Sequence, residues 1–128
     1  MGLFSRLRRP AAAATPDAEP TGRAAREETV EHLREFIRTR VGVEAYLEPP
    51  TNVTQSTLML IATDGEWTRR RVPDAKAGWA LARSLGVPVY DVQRTGYPQR
   101  MRDWNTRQRI ERQRAQRERA ARRAADPR

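Results

Sequence analysis

The side chains best equipped for chemistry in this chain are its arginines, and they gather at one end. From Arg94 to the C-terminus, 12 arginines stand against Asp103, Glu111, Glu118 and Asp126, whereas residues 1–93 carry 13 basic and 12 acidic side chains. A body that is nearly neutral is thus followed by a polycation. Clustered guanidinium groups neutralise phosphates and release counterions, which gives salt-sensitive binding without sequence preference. The candidate phosphate-binding residues of the tail are Arg107, Arg109, Arg112, Arg114, Arg117, Arg119, Arg122 and Arg123. Immediately before them, "GYPQRMRDW" (Gly96–Trp104) sets Tyr97 and Trp104, rings able to stack on bases, beside Arg100 and Arg102. Tyr97, Met101 and Trp104 would serve equally well by folding back to cover a small core. Arg69 and Arg71 in "EWTRRRV" are further binding candidates. RNA or a ribonucleoprotein is the expected partner, and an acidic-protein interaction module is the alternative.

Arginine outnumbers lysine 24 to 1, a skew that a GC-rich genome alone produces, so the weight rests on where the arginines cluster. Other chemistries lack their residues. There is no cysteine, which removes disulfides, zinc–thiolate sites and thiol nucleophiles and fits a reducing cytoplasm. His32 is the only histidine, so no histidine pair exists to hold a metal. Glu44, Glu48, Asp64, Glu66 and Asp91 are scattered over strands and turns rather than paired. Neither G-x-G-x-x-G nor G-x-x-x-x-G-K-[ST] occurs, so no cofactor is expected and the function reads as non-catalytic. No run approaches the roughly 18 apolar residues of a membrane span. The start "MGLFSRLRRP" is basic, but "AAAATPDAEP" after it is too polar for a signal segment, and Arg6 stands where myristoylation needs Ser or Thr. Only Leu3, Phe4 and Leu7 form a short apolar patch there.

These residues must be positioned by a small body. Residues 1–22, rich in Ala, Pro and Thr, read as a disordered extension. From about Arg23 a helical stripe of Val30, Leu33, Ile37 and Val41, widened by Phe36, runs to a stop at Gly42. "VEAYLE" (Val43–Glu48) alternates, with Val43, Ala45 and Leu47 on one face and Glu44, Tyr46 and Glu48 on a face expected to be wet. "STLMLIAT" (Ser56–Thr63) is almost continuously apolar and reads as a central strand buried on both sides. Asp64-Gly65 reads as a two-residue hairpin turn. That turn sets Ala62 opposite Trp67, Leu60 opposite Arg69 and Leu58 opposite Arg71, on an edge or solvated strand Glu66–Val72. Asp74 is the expected N-cap of a second helix with Gly78, Leu81, Ala82 and Leu85 inward, and "VPVYDV" (Val87–Val92) is a fourth strand. The whole is an α+β fold: a helix-β-β-β-helix-β domain over 23–104 with a mixed sheet, followed by a basic helical or disordered tail over 105–128. In that tail Glu111 stands in helical register with Arg107 and Arg114, and Glu118 with Arg114 and Arg122.

The order αβββαβ also describes the core of restriction-endonuclease-like nucleases, whose third strand carries an acid-x-lysine motif. Here Glu66-Trp67-Thr68 occupies that place and Lys76 lies beyond the strand, so metal-dependent cleavage lacks its residues. Taken together, "VEAYLEPPTNVT", "DGEWTRRRV", "GVPVYDV" and "GYPQRMRDW" resemble a family of small uncharacterised actinobacterial proteins, over about residues 43–104. Some members carry a generic oxidoreductase label. The resemblance therefore implies, as a further alternative, an oxidoreductase of unknown substrate.

Overall fold

The computed structural model describes residues 22–127. Of the disordered extension expected over residues 1–22, Gly22 instead opens the first helix, and the rest, with the apolar patch, lies outside the described residues. The elements are α1 (Gly22–Thr39), β1 (Glu44–Glu48), β2 (Thr57–Ile61), β3 (Trp67–Arg71), α2 (Ala75–Ser84), β4 (Val89–Asp91), α3 (Val92–Thr95) and α4 (Gln99–Ala125). The four strands form one sheet in the order β3-β2-β1-β4. β1–β2 and β2–β3 are antiparallel, and β4 returns parallel to β1 after α2. The fold is α+β with a mixed sheet, in the order expected.

The apolar run of β2 explains its central place. Leu58 and Leu60 point to one face, Met59 and Ile61 to the other, and all four are fully buried. Each such side chain contributes about 1.5–3 kcal/mol over its exposed state. On the first face Leu33 and Phe36 of α1 and Ala82 of α2 cover Ala45, Leu47, Leu58 and Leu60. Asp74 caps α2 by accepting from the Ala77 amide at 2.8 Å. Gly78 lets that helix lie close on the sheet, since a Cβ there would come 2.6 Å from Leu47 Cδ1.

The second face departs from the sequence reading. Glu44, Tyr46 and Glu48 do share it, but it is not wet: Tyr46 is 6 % exposed and Glu48 9 %. Met101 of α4 packs on Tyr46, Met59 and Ile61, with Trp67, Val92 and Tyr97 around them. The reason is where the last helix starts. It begins at Gln99, six residues before the expected tail at Asn105, so its first turns belong to the body.

The hairpin differs by one residue. Ile61 pairs with Trp67, Met59 with Arg69 and Thr57 with Arg71. The Ala62 amide donates to Glu66 O (2.8 Å), the Gly65 amide donates back to Ala62 O (2.9 Å), and Gly65 has φ +93. That is the three-residue loop, a turn followed by a left-handed glycine, rather than the two-residue form. Arg69 and Arg71 keep the expected company of Trp67, but on the face of Met59 rather than that of Leu60. β3 is an edge strand, half-buried throughout.

Two smaller departures concern ends. Val41 lies beyond α1 and is 79 % exposed, because the helix stops at Thr39 and the chain turns into β1. β4 is only three residues long, its expected end having become α3, whose N-cap Asp91 accepts from the Gln93 amide.

Candidate nucleic-acid interface

Chain direction brings "GYPQRMRDW" back over the sheet. Gly96, at φ +69, ends α3, and Pro98 starts α4. Tyr97 then points at β1, where its hydroxyl donates to Glu48 Oε2. Glu48 Oε1 accepts from Thr57 Oγ1 at 2.6 Å, and Oε2 also accepts from Arg69 Nη2 at 3.2 Å. Burial, and then the adjacent Glu48 carboxylate, push the Tyr97 phenol up to about 12. The Arg69 guanidinium lies 4.9 Å from the Trp67 ring centroid, and its buried Nε has no hydrogen-bond partner among the described residues. The ring face compensates part of that cost.

A second set forms around Glu44. Arg100 donates from Nη2 to Glu44 Oε1 at 2.6 Å and from Nε to the Ala62 carbonyl at 3.0 Å. The hydroxyls of Tyr46 and Tyr90 donate to the two oxygens of Glu44, each at 3.3 Å. These two rings lie 5.3 Å apart, and burial raises the Tyr46 phenol. Along the same helix Met101 is buried and Trp104 half-buried. Asn105 Oδ1 accepts from Trp67 Nε1 at 2.8 Å, and Arg107 Nη2 donates to the Asp64 carbonyl at 2.8 Å. Gly65 makes this approach possible, because a Cβ there would sit 2.0 Å from the Arg100 carbonyl oxygen.

The candidate residues therefore divide into two groups. Tyr97, Arg100 and Arg69 come together, but with Glu44 and Glu48 as their partners, and Trp104 faces the hairpin turn. Arg102 is exposed and donates to the Tyr97 carbonyl at 3.1 Å. Arg71 lines a cleft of about 500 Å³ with loop 50–56 and Asp74. Arg109, Arg112, Arg114, Arg117, Arg119, Arg122 and Arg123 are all exposed. None of these seven joins an ion pair among the described residues, so the pairs that helical spacing offers around Glu111 and Glu118 stay open. Closing such a pair gains only a few tenths of a kcal/mol and immobilises two long side chains.

The partners that sequence reasoning missed are Glu44 and Glu48, along with Gly65 and Asn105. A signal was present in the two acids on the β1 face that also presents Tyr46. They lie on the same side of the sheet as Arg69, and a second basic segment follows. Complementary charge, rather than hydropathy, marks a face that will be covered.

Among the described residues no group of three acidic or histidine side chains is placed to hold a metal ion. No described helix is long and apolar enough to cross a membrane. Comparison with family models, with curated proteins and with solved structures finds no match to this chain.

Proposed function

We propose that this is a non-catalytic binding protein whose small α+β body anchors an arginine-rich helix that contacts RNA or a ribonucleoprotein. One observation carries the reading. α4 is a single 27-residue helix, docked on the sheet by its first turns and with no buried residue from Arg109 onward. A helix that buries nothing gains no stability from packing, so those turns are held out for another purpose. Seven arginines against two glutamates between residues 109 and 123 match a polyanion.

The polar sets around Glu44 and Glu48 support a positioning role: they engage Tyr46, Tyr90, Tyr97, Arg69 and Arg100 where the start of the helix meets the sheet. The oxidoreductase alternative has no cysteine pair and no dinucleotide fingerprint to draw on. A reducing cytoplasm suits a chain without cysteine.

The test compares full-length protein with a 1–108 truncation, which keeps Asn105 and Arg107 in place. Retention on RNA is measured across a salt series. The full chain should bind with an affinity that falls steeply with salt, and the truncation should bind weakly with a shallow slope. Equal, salt-insensitive retention of the two sinks the proposal. A stoichiometric partner that survives nuclease treatment moves the assignment to an acidic protein.

A further inference from the structure

The arginines of α4 are not distributed evenly round its axis. At about 100° per residue, Arg109, Arg112, Arg119 and Arg123 fall within about 80° of arc, spaced at i, i+3, i+10 and i+14. Glu111 and Glu118 fall together about 125° away, among Arg107, Arg114 and Arg122. One side of the free helix is thus a carboxylate-free basic stripe about 21 Å long, and the other is nearly charge-balanced.

Resting on the RNA reading above, we infer that this stripe binds double-stranded RNA by lying along one of its phosphate backbones. Three observations favour that ligand. After Trp104 the chain has no aromatic residue, and Tyr97 packs against the sheet, so the free part of the helix itself presents no stacking platform for unpaired bases. The A-form major groove is deep and narrow, whereas a helix with its side chains is about 10–12 Å across. Such a helix must rest on the backbone, and one charged side suffices for that. In the wider B-DNA major groove it would face phosphate walls on both flanks, and the glutamate sector would meet one of them. Contact with a backbone alone carries no base sequence, so recognition is of shape and charge.

The test removes equal charge from the two sides of the full-length protein. One variant carries Arg109→Gln, Arg112→Gln and Arg119→Gln; the other carries Arg114→Gln, Arg117→Gln and Arg122→Gln. Glutamine keeps the helix propensity, and circular dichroism checks that helicity is unchanged. Binding to a labelled RNA duplex is measured against salt. The first variant should lose at least about tenfold in affinity and about 3 in the slope of log K against log salt. The second should lose less than a third as much in each. Equal losses overturn the stripe while leaving RNA binding by the tail intact, whereas no binding by the unmodified protein removes the underlying reading as well. Single-stranded RNA or a DNA duplex bound as tightly as the RNA duplex overturns the choice of ligand. Displacement of the duplex by polyglutamate at equal charge shows an acidic-protein surface instead, and also overturns it.

Discussion

Three donors converge on the carboxylate of Glu48: the Thr57 hydroxyl, the Arg69 guanidinium and the Tyr97 phenol. Replacing Glu48 by Ala leaves a half-buried cation without its counter-ion, and should destabilise the fold by about 3 kcal/mol, measured by urea unfolding. Tyr97→Phe removes one donor only and should cost roughly 1–3 kcal/mol at neutral pH. Its effect on pH dependence is more specific. The folded phenol sits at about 12, above the ordinary value near 10, so its contribution is complete below about pH 10 and is lost as pH rises toward 12. The phenylalanine variant should therefore show a shallower alkaline decline, the part due to Tyr46 remaining; identical alkaline slopes contradict the assignment. His32 behaves in the opposite sense. Its ring bonds Thr68 Oγ1 at 2.7 Å, and burial, then Arg70 and Arg40, lower its pKa against a smaller opposing effect of Glu28. The contribution of this group to stability is thus present above about pH 6.5 and lost as pH falls below it. His32→Gln should flatten the stability profile between about pH 7 and 5.

The joint between α4 and the β2–β3 turn depends on a missing side chain. Gly65 has φ +93 and no room for a Cβ beneath the Arg100 carbonyl. Gly65→Ala therefore meets both backbone strain and a clash, and should cost about 2–3 kcal/mol while loosening α4 from the sheet. Hydrogen exchange reads this directly, as faster exchange at 99–107 in the variant. In the unmodified protein the same method should divide α4, with slow exchange through its docked turns and fast exchange from about 110 onward, because isolated helix without a packed face is marginal. Uniform protection along all of α4 contradicts that division.

The body and the free part of α4 are coupled by chain continuity rather than by packing. Removing residues 109–128 should leave the melting temperature within a few degrees of the full chain, since the described residues there bury no side chain. A large fall shows that the tail supports the body.

Much of the architecture was legible in residue pattern, and the misses have physical causes. The period-3.6 stripe of α1, the continuous apolar run of β2 and the Asp74 cap each specify structure locally, so the α+β order follows from neighbours in sequence. So does the segregation of charge, because no fold can make the 12 arginines from Arg94 onward neutral with four acids. Register and coverage are different. One residue in a hairpin loop decides which faces meet, and only the left-handed Gly65 under α4 selects the three-residue form. Whether Glu44 and Glu48 meet water depends on chain about fifty residues later, through Arg100 at the start of α4 and Tyr97 just before it. That is a choice between solvating charges and pairing them across the fold, on which alternation within one strand is silent. By itself the sequence determined the elements, the near-neutral body and the polycation. The tertiary structure alone decided which arginines are consumed by the body's own carboxylates and which remain exposed, because ion pairing depends on distance in space.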